Sequence, residues 1–302
     1  MLSFPIHSPV EPLEFSTFDV KELTLHIKRD DLIHPFISGN KWRKLKCILD
    51  EALRQQKTHL VTFGGAWSNH LLATACAGAK FGFKTTAFVR GEPVANPNLS
   101  LCALFGMRLQ FVDRSAYRDK PQLFNQHFGS DDQAYFIDEG GYTVAGAQGC
   151  GDIVDELSDE YDHIFCAAGT GTTLAGIATA LATKKSNTRL HGVPVLAGGE
   201  FIRDRIAGLS SDAVAASCTL HTDYHFGGYA KTKPELIRFV KDFCAHTGIL
   251  IEPVYTGKLC YAVFDLARND YFARGDKILV VHTGGLMGLL GMEQKLLAPT
   301  SG

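Results

Sequence analysis

The chain has few of the features that mark the special classes of protein. No stretch approaches the roughly 18 consecutive apolar residues that a membrane-spanning helix needs, so no membrane partner is expected. Neither sign of charge dominates: 30 Lys and Arg stand against 32 Asp and Glu, a formal charge of -2. Without a long single-sign run there is no electrostatic footprint for nucleic acid. The eight cysteines (47, 76, 102, 150, 166, 218, 244 and 260) never form a C-x-x-C pair and lie mostly in apolar stretches, so they read as reduced core thiols. The N-terminus MLSFPIHSPVEPLEF has neither a basic segment nor an apolar core of the secretory kind. A cytoplasmic location is the expectation. A G-x-x-x-x-G-K-[ST] motif is absent, which argues against a nucleoside triphosphate, and no clear G-x-G-x-x-G near the start suggests a dinucleotide. No low-complexity linker, internal repeat or metal site is read from the sequence.

What is present is ordinary globular composition, 45% hydrophobic and 21% charged over 302 residues. A chain of that length buries about three quarters of its unfolded surface, enough for two lobes. Short apolar runs, each followed by a Gly or Ser turn and an amphipathic helix, recur in the manner of βαβ units. The predicted strands are THLVTFGG (58–65), KTTAFVRG (84–91), MRLQFVD (107–113), AYFIDEGG (134–141), YDHIFCAAG (161–169), ILIEPVY (249–255) and KILVVHTGG (277–285). Between the turn at 39–40 and the first of these, Trp42, Leu45, Ile48, Leu49, Ala52 and Leu53 fall at helical spacing. Such alternation predicts an α/β fold with parallel-rich, twisted sheets flanked by helices. Residues 217–236, aperiodic and rich in aromatic and His residues, read as a long loop over a site.

In open α/β sheets ligands gather at the carboxyl ends of strands, and five such places carry polar residues. In ISGNKWRKL, Lys41 follows a Gly-Asn turn and opens a helix. A lone lysine there is ordinarily solvated, but one held in a cleft loses its proton more easily and can form a Schiff base. In FGGAWSNH a strand runs into Ser68, a natural N-cap. Free N–H groups at that helix start would hold a carboxylate, with Ser68 and Asn69 directing it and His70 behind them. CAAGTGTTLAG places Gly169, Thr170, Gly171, Thr172 and Thr173 at another helix mouth, a cradle suited to a single phosphate. The last two are EPVYTGK, with Tyr255 and Thr256, and HTGG, with Thr283, where turn chemistry alone would also account for the small residues.

The order GNKWRKL, GGAWSNH, EGG, AAGTGTTLAG, EPVYTGK, HTGG resembles the 1-aminocyclopropane-1-carboxylate deaminase and D-cysteine desulfhydrase family of fold-type II enzymes, from about Lys28 to the end of the chain. The resemblance implies a two-lobed architecture with pyridoxal 5'-phosphate in the cleft between lobes. We expect a larger domain of residues 1–49 and 146–302 and a smaller inserted one of 50–145. It further implies that Lys41 is the Schiff-base lysine, that Gly169 to Thr173 hold the phosphate, and that Ser68 and Asn69 serve substrate carboxylate and proton transfer. Tyr255 would lie by the pyridine ring, Tyr229 would be a second active-site tyrosine, Thr283 would face the pyridine nitrogen, and His70 and Thr256 would border the substrate.

In ring-opening members the residue after the stacking Tyr is Glu and the HTGG threonine is typically Leu, whereas here they are Thr256 and Thr283. That pattern implies α,β-elimination from a cysteine-like amino acid to pyruvate, ammonia and sulfide, with cyclopropane ring opening as the alternative. A carboxylate beside the pyridine nitrogen deepens the electron sink, and a hydroxyl leaves it weaker. A non-catalytic cofactor-binding protein is the rival from another class, but it would not need Ser68, Tyr229 and Tyr255. Trp67 stands where the family usually carries Gln, and Leu71-Leu72 replaces a stretch that commonly includes Arg. A homodimer and a small amino-acid substrate are the expected partners.

Overall fold

Ten strands form two sheets in a computed structural model that describes residues 2–297. In chain order the strands are β1 (Val10–Pro12), β2 (Thr24–Lys28), β3 (His59–Gly65), β4 (Lys84–Arg90), β5 (Arg108–Val112), β6 (Ala134–Ile137), β7 (His163–Ala168), β8 (Arg189–Pro194), β9 (Cys218–Leu220) and β10 (Lys277–Val281). The larger sheet runs β1-β2-β10-β7-β8-β9, parallel except for the β1–β2 pair, and the smaller runs β5-β4-β3-β6, all parallel. Five helices position the site: α1 (Asn40–Arg54), α2 (Asn69–Phe81), α3 (Val144–Cys150), α4 (Thr172–Thr183) and α5 (Thr256–Arg268).

Both faces of the larger sheet are buried, and its strands show why they read as continuous apolar runs. Ile278 and Val280 of β10 enter one core with Leu259 and Val263 of α5, while Leu279 and Val281 enter another with Leu174 and Ile177 of α4. Alternate residues point to opposite faces, so a strand covered on both sides needs apolar residues throughout. The smaller sheet is covered likewise: Leu60 packs with Leu45, Ile48 and Leu49 of α1, and Val61, Phe63 and Phe88 pack with Leu123 and Phe128. Among the described residues no helix is long and apolar enough to cross a membrane.

Two sequence expectations need correction. ILIEPVY (249–255) is not a strand. Pro253 has no N–H to offer a ladder, and the Glu252 carboxylate accepts the N–H groups of Val254, Tyr255 and Thr256, which turns the chain into α5. Strands β1, β2, β8 and β9 were not expected: LTLHIK and RLHGVP carry His and Lys that are buried through specific partners, and β9 lies in the stretch 217–236 read as a loop. The boundaries drawn at 49/50 and 145/146 both fall inside continuous helices, α1 and α3.

Beneath α1 lies a buried ionic knot. The Arg43 guanidinium grips both oxygens of Asp30 (2.8 and 3.1 Å) and also donates to Glu156, which Lys28 reaches at 2.8 Å. Arg43 and Asp30 are essentially inaccessible. Burial alone would raise the Glu156 carboxyl, but the hydrogen bonds from Arg43 and Lys28 outweigh it and hold it down at about 2. Removing one partner strands the others as unpaired buried charges. Arg43→Ala is therefore expected to cost about 3–5 kcal/mol in urea denaturation. Because the Glu156 pKa lies below its ordinary 4.5, its contribution is complete above that pH and is lost as pH falls towards about 2. The variant should show a smaller loss over that acid range; an unchanged midpoint would mean that the knot carries no weight.

Candidate active site

The carboxyl ends of both sheets face a common cleft of about 910 Å³. Lys41 enters it from the first turn of α1. Gly39, at φ 57, has no Cβ, and one placed there would lie 2.0 Å from the Thr283 carbonyl oxygen. That close approach lets the Asn40 N–H donate to the same oxygen at 3.3 Å. Gly284 is pressed against Ser38 and Gly285 against the Asn69 side chain in the same way. The GNK, SNH and HTGG turns, far apart in sequence, thus form one interlocked wall.

The Lys41 Nζ donates to Asn40 Oδ1 (2.8 Å), and Asn40 Nδ2 donates to Thr173 Oγ1 (2.9 Å), so the lysine is joined to the glycine-threonine loop. Burial, followed by the neighbouring Lys44 charge, pushes the Lys41 ammonium down to about 7. Lys44, one helical turn on, also lines the cleft and donates to the Gly140 carbonyl at 3.0 Å. Gly140 in turn abuts Thr170, so this second amine stands beside the loop.

Residues 169–171 join β7 to the first turn of α4, where Thr172 and Thr173 stand, turning at Gly171 with φ 81. The first amide groups of α4 have no carbonyl partner within the helix and point outwards with the positive end of its dipole. The Thr170 and Thr172 hydroxyls lie 2.9 Å apart at this mouth. Tyr255 lies over Gly169, whose missing side chain makes room for the ring. Its hydroxyl is 3.4 Å from that of Tyr229.

In the interlocked wall Ser68 caps α2, accepting the Leu71 N–H at 3.4 Å, which leaves its own hydroxyl proton free. Asn98 Nδ2 holds this turn through the carbonyls of Ala66 and Ser68. His70 is fully buried. Its Nε2 lies 2.8 Å from Thr62 Oγ1, which itself donates to the Ile137 carbonyl, so the ring nitrogen is the donor and Nδ1 is left a bare acceptor without a partner. Burial and the two lysines drive its pKa well down, keeping it neutral.

Lys41, Ser68, Asn69, His70, Gly169 to Thr173, Tyr229, Tyr255 and Thr283 all line the cleft. Thr256 does not, and this corrects its expected contact with the substrate. It is buried, with its hydroxyl 3.2 Å from Glu252 Oε1. Glu252 itself lines the cleft, a carboxylate that sequence reasoning did not place there. Burial raises its pKa to about 7 against the pull of three backbone N–H groups. Sequence reasoning also missed Asn40, Lys44 and Lys258. The i, i+3 spacing of Lys41 and Lys44 was a usable signal for the second. Lys258, fully buried, donates to the carbonyls of Val195, His225 and Gly228 and so pins the segment that carries Tyr229.

Residues 6–284 match the model of a family described as pyridoxal-phosphate dependent enzyme. The chain belongs to that family. A Thermotoga maritima protein named, provisionally, as a 1-aminocyclopropane-1-carboxylate deaminase is 32% identical over 90% of this chain and 92% of its own. A D-cysteine desulfhydrase of Serratia proteamaculans is 29% identical over 90% of this chain and 89% of its own. A crystal structure described as an ACC deaminase homologue superposes with a TM-score of 0.86 at 30% identity, covering 97% of this chain and 94% of the other. The α/β fold is therefore that of a fold-type II pyridoxal-phosphate enzyme.

The residues present suit the cofactor. Free amides and hydroxyls at one helix mouth, a buried Lys44 beside them and a low-pKa Lys41 within one residue of that network meet the needs of a phosphate and an aldehyde. If Lys41 carries the cofactor, borohydride reduction and peptide mapping will put the label there. Uptake will rise with pH through about 7, since only the neutral amine attacks an aldehyde and the folded pKa is depressed to that value. Label on Lys44 or Lys258 would overturn the assignment.

Proposed function

We propose that the protein is a cytoplasmic, homodimeric lyase of the D-cysteine desulfhydrase kind, removing a β-substituent from a small amino acid to give pyruvate and ammonia. The larger unit would hold the phosphate through Gly169 to Thr173 and Lys44, with Asn69, Tyr255 and Thr283 around the ring and Lys41 at the aldehyde carbon. Pyridoxal phosphate, when bound, supplies the electron-withdrawing ring that stabilises negative charge at the substrate α-carbon.

The chain's own groups divide the remaining work. The free N–H groups at the start of α2, with the Ser68 hydroxyl and the Asn69 amide, orient the α-carboxylate. Lys41, with a pKa near 7, suits the task of taking the α-proton at neutral pH. Tyr255 covers Gly169 and keeps water from one side. Tyr229 lines the cleft with 44% of its surface exposed, and withdrawal of its hydroxyl from water raises its pKa, so that it stays protonated and can donate to a departing thiolate.

One observation carries the choice of elimination over ring opening. Glu252 is the carboxylate nearest the Tyr255 turn, and its oxygens are already taken by the N–H groups of Val254, Tyr255 and Thr256. Its charge is spent on building the turn, which leaves Thr283 as the polar group for the pyridine nitrogen. A hydroxyl there makes a weaker electron sink, adequate for a good leaving group and poor for a cyclopropane. The name of the Serratia relative supports this reading. The name of the Thermotoga relative favours ring opening as the second reading. The cytoplasmic assignment draws on eight free cysteines, six of them buried.

Comparison of kcat/KM for D-cysteine, L-cysteine and 1-aminocyclopropane-1-carboxylate tests the choice. Thiol release from one cysteine enantiomer should exceed ring opening by at least about tenfold, the equivalent of 1.4 kcal/mol. A preference for the cyclopropane would reverse the assignment.

A further inference from the structure

Two guanidinium groups on the smaller sheet have no part in the site as described so far. The strand register fixes where they stand. Gly65, which leads into the Ser68 turn, pairs with Arg90 at the end of β4, and Arg90 pairs with Val112 at the end of β5. Arg114 follows two residues later. Strands lie about 4.8 Å apart, so the arginines sit about one and two strand spacings beyond the carboxylate-binding turn. The phosphate loop is on the other side of that turn, where Gly140 after β6 meets Thr170 and Lys44. Phosphate, α-carboxylate and arginines therefore follow one another along the sheet edge.

Both arginines line the cleft. Arg90 is part-buried, held over the Tyr117 ring at 5.3 Å, with Nη2 3.6 Å from where a Gly65 side chain would begin. Among the described residues neither arginine has a hydrogen-bond or ion-pair partner. The carboxylates of the cleft do not serve them. Glu139 pairs with Lys120 at 3.7 Å, Glu252 is tied to its own turn, and Glu92 is exposed without an ion pair. A fixed, half-buried guanidinium with no carboxylate is a fork prepared for an anion.

We propose that Arg90, with Arg114 at the rim, forms a subsite for a second negative group on the substrate, and that the protein takes amino acids whose β-substituent is an oxyanion able to leave: a sulfonate or a phosphate ester. This rests on the elimination reading above. The α-proton passes to Lys41, the Cβ–S or Cβ–O bond breaks with its electron pair leaving on sulfite or phosphate, and water converts the remaining three carbons to pyruvate and ammonia. No oxidant or reductant is needed.

The test uses the cofactor-loaded protein with 3-sulfoalanine, O-phosphoserine, cysteine and 3-chloroalanine, each in both enantiomers. Binding is read as Kd from the change in cofactor absorbance, and turnover from pyruvate together with sulfite or phosphate. At least one oxyanion should bind about tenfold more tightly than 3-chloroalanine, and its identity separates sulfonate from phosphate ester. Arg90→Ala should weaken oxyanion binding about tenfold more than it weakens 3-chloroalanine, and Arg90→Lys should recover part of the difference. Equal affinities in the unmodified protein overturn the subsite whether or not the variants fold. Equal losses in Arg90→Ala overturn it too, because the guanidinium would then be serving the α-carboxylate. Pyruvate from 3-chloroalanine or cysteine alone sinks the subsite and leaves elimination standing. Pyruvate from none of them sinks the elimination reading, and the ratio of dissociation constants still decides the subsite.

Discussion

The cleft depends on a contact between two backbones. The Thr283 carbonyl occupies the space in which any side chain at position 39 would sit, and it receives the Asn40 N–H. That contact joins the start of α1 to the turn after β10, the central strand of the larger sheet that β2 and β7 flank. Gly284 and Gly285 extend the junction to Ser38 and Asn69, so the turn that opens α2 is fixed by the same interlock. With the wall set, the Asn40 amide bridges to Thr173 and orients the Lys41 amine. A methyl group at position 39 would force the wall apart, displacing the amine from the loop and the cap of α2 from both.

Electrostatics follow from that geometry. Two lysines one turn apart enter the cleft; burial lowers the pKa of both, and the Lys44 charge lowers that of Lys41 further. The result is an amine neutral enough to react beside one suited to an anion. Glu252 shows the converse: a carboxylate in the cleft wall organises a turn through three N–H groups while burial raises its pKa to about 7. His70, locked by Thr62 and the Ile137 carbonyl into a single tautomer, gives the same wall an acceptor with no proton to lose. Acid and base character is thus distributed by what each group touches.

Much of this was legible in the sequence, and the parts that were not have physical reasons. Strands buried on both faces announced themselves as apolar runs, and the turns at 39–41, 68–70 and 169–173 by glycine followed by small polar residues. ILIEPVY misled because its apolar residues pack in the core like a strand while its carboxylate forms a turn. β2 and β8 were hidden because Lys28, His26 and His191 are polar by composition and buried by partnership, with Glu156, Tyr161 and the neighbouring histidines. Thr256 was assigned to the cleft by its neighbour Tyr255; the first turn of α5 carries it inwards to Glu252 instead. Lys44 and Arg90 are single charged residues in segments that read as helix and strand, and only the assembled sheets reveal that they meet the cleft.

The most direct test of the interlock and of what it builds is a crystal structure of the protein loaded with pyridoxal phosphate. The account requires the phosphate on the amides of Gly169 to Thr173 with Lys44 beside it, continuous density from the Lys41 Nζ to the cofactor, and Gly39 against the Thr283 carbonyl. A phosphate bound elsewhere in the cleft, or a cofactor joined to another lysine, would contradict it.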